Sequence, residues 1–122
     1  MNMHLNNFSE EINDKYKILE QNILNINISR IIDVLKNKLY CDSIHFYIDD
    51  ENPITYKIDE YVYGMTIKIS TRSLKLDNEF YFFENFYATM EEFIINHVRT
   101  FYPETYKQKT RVKKLERILI NK

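Results

Sequence analysis

Tyr61-Val62-Tyr63-Gly64-Met65-Thr66-Ile67-Lys68-Ile69-Ser70 is the stretch whose reading decides the fold. Side chains alternate across a strand, so a period of two marks a strand with one packed face. The pattern predicts the longest strand of the chain over 61–70, with Tyr61, Tyr63, Met65, Ile67 and Ile69 on one face. Downstream lie Phe80-Tyr81-Phe82-Phe83 and Phe86-Tyr87, and half of the eighteen Phe and Tyr residues fall between Phe80 and Tyr102. The period then changes. Met90, Phe93, Ile94, His97, Val98 and Phe101 recur at helical spacing, which predicts a core helix over 89–101. Thr89-Met90-Glu91-Glu92 fits a capping box at its start, and Pro103 stops it.

Working outward, Ser43–Ile48 alternates and predicts a strand. Asp49-Asp50-Glu51-Asn52-Pro53 reads as a polar turn, and Ile54–Ile58 as a second strand. Leu74–Leu76 and Phe80–Phe83 complete the sheet, with Asp77-Asn78 as a two-residue hairpin turn. Short connections between successive strands imply an antiparallel meander over 43–83. Clean alternation implies one packed and one wet face.

Upstream, Ile12, Tyr16, Leu19, Ile23 and Ile26 form one helical stripe, and Ile28, Ile32, Leu35 and Leu39 form a second, out of phase with it. The slip falls in Asn25-Ile26-Asn27-Ile28-Ser29, a poor helical segment containing good N-caps. Residues 9–40 are therefore read as helical, with Ser9 as a cap. They form two helices, Ser9–Leu24 and Ser29–Tyr40, or one helix kinked at the slip, with a short strand at Leu24–Ile28 as the lesser alternative. A basic terminal helix follows Pro103 over 104–121, with Val112, Leu115, Ile118 and Leu119 as its narrow apolar side. The order α-α-β-β-β-β-α-α, with four to five strands, predicts an α+β fold: helices packed on an antiparallel sheet. At 122 residues the chain is read as one domain, 1–122.

Composition removes several functions. One glycine, Gly64, is too few for a phosphate-cradling loop, and inside a strand it reads as a bulge. His4, His45 and His97 are scattered and Cys41 is single, so neither a metal-ligand spacing nor an intramolecular disulfide exists. His97, on an apolar stripe, reads as a satisfied core histidine. No catalytic residue, cofactor or metal is assigned, and the chain is read as a non-enzyme. It lacks an apolar leader and a membrane-length apolar run, which predicts a cytoplasmic protein. The Ile, Asn, Lys and Tyr bias suggests an AT-rich bacterial or phage genome, and hence a bacterial or infected host cell.

The formal net charge is −1, but residues 41–97 are acidic and residues 98–122 basic. Two surfaces follow from this split. Tyr47, Asp49, Asp50, Tyr56, Asp59, Tyr61 and Tyr63 make a tyrosine-rich acidic sheet edge suited to a basic protein partner. The leading expectation is a small protein-binding module. It would be an inhibitor or immunity-type protein, of a phage or mobile element, that occludes a host or defence protein. The alternative is a nucleic-acid-binding regulator using Tyr106, Lys107, Lys109, Arg111, Lys113, Lys114 and Arg117. The apolar stripe of the terminal helix also suits a partner helix, which points to a homodimer.

Overall fold

The computed structural model describes the backbone of residues 2–83 and 86–120 and the side chains of residues 12–83 and 90–120. A long helix, α1 (Asn2–Asn37), leads into five strands: β1 (Ile44–Glu51), β2 (Ile54–Glu60), β3 (Thr66–Ile69), β4 (Ser73–Leu76) and β5 (Glu79–Phe82). Helices α2 (Phe86–Phe101) and α3 (Pro103–Ile120) follow. All neighbouring strands pair antiparallel in the order β1-β2-β3-β4-β5, the meander expected of an α+β fold.

The core lies between α1, α2 and one face of the sheet. Leu24, Ile28, Ile31, Leu35 and Leu39 meet Ile58, Ile67, Ile69, Leu74 and Leu76, with Met90, Ile94 and Val98 from α2. Removing one such side chain, as in Ile31→Ala, costs roughly 2–5 kcal/mol in lost burial and residual cavity. The buried sheet residues all occupy alternate positions on one face.

Helix α1 is continuous through residues 25–29, so of these readings the single helix is the one that forms, and Ser9 lies inside it rather than at its cap. The slip in the apolar pattern has another cause. The stripe Leu24-Ile28-Ile31-Leu35 is buried, whereas Ile12, Tyr16, Leu19, Ile23 and Ile26 are all exposed. One continuous helix thus carries two apolar stripes on different faces, and only the second belongs to the core. The helix ends through Tyr40, at φ 62°, which turns the chain so that the Cys41 N–H reaches the Leu35 carbonyl at 2.8 Å.

The strand expected over 61–70 shortens to Thr66–Ile69. Its cause is Glu60, 3 % exposed at the end of β2. Its carboxylate accepts the N–H groups of Val62 (3.0 Å), Tyr63 (2.9 Å) and Met65 (2.6 Å). Those N–H groups are spent on a side chain and cannot join a ladder. Gly64, at φ 71°, closes the resulting loop and is not inside a strand. Tyr63 and Met65 remain buried, but Tyr61 does not.

Strand β1 runs past the expected turn as far as Glu51, with a register shift between Ile48 and Asp50, so Asp49 and Asp50 belong to a bulged strand. The turn shrinks to Asn52-Pro53, joined by a cis peptide bond. Asp77-Asn78 forms the β4–β5 turn as expected, with Asp77 at φ 55°. Helix α2 begins at Phe86, so Thr89 stands inside it and is not its cap; the Thr89 side chain lies outside the described residues. Pro103 is the first residue of α3, where its missing N–H costs nothing, and a single residue, Tyr102, separates the last two helices.

Candidate functional site

The register divides the seven sheet-edge candidates between the two faces of the sheet. Tyr47 pairs with Lys57 and Asp59 with His45 on the face away from the helices. Asp49 joins them there, 3.2 Å from the Lys68 ammonium. Asp50 pairs with Thr55 beyond the bulge. Tyr61, 68 % exposed just past β2, sets its ring edge-on to His45 at 6.3 Å. Tyr56 points to the other face, opposite Ile48, where Gln21 of α1 donates to its hydroxyl at 3.4 Å. Tyr63 is buried, and its hydroxyl donates to the Leu39 carbonyl at 3.0 Å. Burial raises the Tyr63 phenol, with Cys41 and Glu60 adding to it. Five of the seven therefore lie along the open face, spread over the length of the β1–β2 ladder, and Tyr56 and Tyr63 do not.

The same register reveals a row that a linear reading misses. Tyr47 faces Lys57, Lys57 faces Lys68, Lys68 faces Lys75, and Lys75 faces Phe80. Three lysines thus cross the open face in line, with an aromatic ring at each end. Like charges on neighbouring strands cost roughly 0.2–1 kcal/mol per pair. Each lysine has a local offset: the Tyr47 ring 6.0 Å from Lys57, Asp49 beside Lys68, and the Phe80 ring 5.1 Å from Lys75. Phe80 and Phe82 on β5 are 60 % and 66 % exposed. The lysines are scattered at 57, 68 and 75 in the chain, and only strand pairing brings them together.

Helix α3 packs against α2 and buries no residue fully. Lys107, Arg111, Lys114 and Arg117 are exposed, while Lys109 and Lys113 are half-buried. Lys113 bonds Glu116 at 3.2 Å and lies 5.9 Å from the Tyr40 ring. Tyr106 packs on the core with the Arg99 guanidinium 5.4 Å from its ring centre. That ring face is already occupied.

Two polar networks bring titratable groups together in the interior. His97 is 2 % exposed; its Nε2 lies 2.9 Å from Oδ2 of Asp77, and its Nδ1 lies 3.2 Å from the Tyr81 hydroxyl. Tyr102 donates to the same Asp77 oxygen at 2.8 Å, and the Thr66 N–H donates to Oδ1 at 3.0 Å. Burial alone would raise the Asp77 carboxyl. The bonds from His97, Thr66 and Tyr102 outweigh it and hold the group below the ordinary carboxylate range. Burial, then the Asp77 bond, pushes Tyr102 up to about 12. This is the satisfied core histidine that the sequence suggests, and no pocket among those described opens onto it.

In the second network the Cys41 thiol donates to Glu60 at 3.6 Å. Burial, reinforced by the Glu60 charge and bond, raises that thiol to about 12, the opposite of an activated nucleophile.

Among the described residues, no group of three or more His, Cys, Asp and Glu is placed to hold a metal ion, and no helix is long and apolar enough to cross a membrane. No family model, curated protein or solved structure matches the chain, so its own geometry carries the functional argument.

Proposed function

We propose that the chain is a non-enzymatic protein-binding module, acting as an inhibitor or immunity-type protein does, by covering a surface of its target. The observation that carries this reading is the open face of the sheet. It offers Tyr47, Phe80 and Phe82 as exposed anchors, with the lysine row across the middle, Asp59 on one flank of that row and Asp49 and Asp50 on the other. Aromatic residues are enriched at protein interfaces, and tyrosine is among the few residue types that dominate their energy. A face of both signs selects a partner with the complementary pattern and steers its approach. Tyr61 extends the same face at the end of β2.

The test is affinity capture from a nuclease-treated lysate of the native host, run in parallel with a Tyr47→Ala/Asp59→Ala/Tyr61→Ala variant. A stoichiometric protein retained by the parent and lost by the variant, at unchanged Tm, is the expected result. Equal retention by this variant and by a Phe80→Ala/Phe82→Ala variant rules this face out.

The second reading, nucleic-acid binding through α3, draws support from the exposed Lys107, Arg111, Lys114 and Arg117. Phosphate contacts made by those side chains would give an affinity that falls steeply with salt. Titration of a labelled single-stranded oligonucleotide at low salt decides it, since no binding there removes the reading. The Arg99–Tyr106 contact counts against base stacking on Tyr106.

A further inference from the structure

We propose that the N-terminal half of α1 pairs in parallel with the same helix of a second copy, along Ile12, Tyr16, Leu19, Ile23 and Ile26. This goes beyond the proposed target-binding face and does not depend on it. These five large apolar side chains are between 37 and 61 % exposed. They recur at 4-3-4-3 spacing, the 3.5-residue period of a helix that packs along a second helix. The residues that α1 gives to its own core, Leu24, Ile28, Ile31 and Leu35, centre roughly 130° around the helix from the stripe, which is therefore turned away from the core. The stripe also ends where the exposed line turns polar. Beyond Ile26 the same positions carry Arg30, Asp33 and Asn37.

The occupant follows from the flanking charges. With Tyr16 and Ile23 at a positions and Ile12, Leu19 and Ile26 at d, Lys15 falls at g and Glu20 at e. These two are five residues apart, the spacing at which g of one helix meets e of its parallel partner. Two-fold pairing therefore places Lys15 beside Glu20 twice per dimer. The other flanking positions, Asn13, Asn22, Asn27 and Ser29, are uncharged. An antiparallel pair sets g against g and e against e, and never brings Lys15 to Glu20. Ile23 at a with Leu19 at d is the pairing of a two-stranded seam, whereas Ile at d, as at Ile12 and Ile26, favours more strands, so the measured mass decides the stoichiometry. The chain thus complements itself in one orientation.

Sedimentation equilibrium of the full chain tests this. The expected mass is twice 15.0 kDa, falling to one chain in a Leu19→Glu/Ile23→Glu variant with unchanged circular dichroism. Both side chains are exposed, so that variant keeps its own fold. Lys15→Glu should weaken the dimer roughly three- to tenfold, and Lys15→Glu/Glu20→Lys should restore it. Leu19→Cys should form an interchain disulfide on oxidation, because a d position meets its own counterpart in a parallel pair; Cys41 is buried and stays out. A monomer at every concentration, or a mass of three or more chains, overturns the proposal. So does a dimer that survives Leu19→Glu/Ile23→Glu, which would move the interface to Val112, Leu115 and Leu119 of α3. Failure of the charge swap to restore pairing overturns the parallel orientation.

Discussion

The Nε2 of His97 lies 2.9 Å from Oδ2 of Asp77, twenty residues away, so the buried ring of α2 is fastened to the turn between β4 and β5. Asp77 also exchanges backbone and side-chain bonds with Thr66, at 2.8 and 3.0 Å. One carboxylate therefore joins β3, the β4–β5 turn, α2 and, through Tyr102, the start of α3.

Asp77→Asn isolates the charge, because Asn also tolerates the left-handed backbone at φ 55°. The variant should lose roughly 1–3 kcal/mol at neutral pH. The folded Asp77 carboxyl is depressed, so its stabilisation is fully present above the unfolded value, about 4, and is lost as pH falls through the lower folded value. Urea unfolding of both proteins from pH 7 to pH 2 should show the gap narrowing below about pH 4. A gap that is constant across this range would show that the Asp77 charge is immaterial.

Glu60→Gln keeps the shape of the buried side chain but sets an amide among three backbone N–H groups that need an acceptor. A cost of roughly 2–3 kcal/mol is expected, with greater loss for Glu60→Leu, which leaves all three unmet. Chemical denaturation measures both. Equal stability of parent and Glu60→Gln would mean that the 61–65 loop does not need the carboxylate.

Cys41 should resist alkylation in the native protein at pH 8. Its thiol is buried, held to Glu60 and raised to about 12, so the reactive thiolate is scarce. Iodoacetamide labelling followed by mass spectrometry should report modification only at the rate of unfolding. Rapid labelling of folded protein would contradict this environment.

Ser29→Ala separates a continuous α1 from a pair of helices by the sign of its effect. As the cap of a second helix, Ser29 would be worth roughly 0.5–2 kcal/mol. As an exposed interior residue of one helix, its replacement by Ala should stabilise by a few tenths of a kcal/mol. Thermal melts of the two proteins read the difference directly.

The packed half of the fold was legible because its periods are clean. Ile67 and Ile69 against Leu74 and Leu76, and Met90, Ile94 and Val98, were each readable from spacing alone. Two features were not. The apolar slip in α1 resembles a chain break because sequence periodicity cannot say whether a stripe faces the core or a partner. Glu60 gives no local sign that it will be buried and will draw three N–H groups out of the β3 strand. The site shows the same division. Tyr47 is placed on the outer face by alternation, but Asp49 and Asp59 join it only because β1 and β2 run further than their spacing shows, and Tyr63 cannot be told from an exposed tyrosine, since its destination depends on the loop that Glu60 creates. The lysine row exists only in the strand register.

The bulge at Asp49 bears on how anything can approach this sheet. β1 is an edge strand, and a long flat edge invites another strand to continue the ladder. Here the far half of β1 is bent and carries Asp49, Asp50 and Glu51, while the opposite edge, β5, is four residues long. Neither border offers the uniform row of donors and acceptors that strand addition requires. The sheet is therefore guarded against growing into an aggregate through its backbone. A partner that reaches it must be recognised by side chains laid flat against a face.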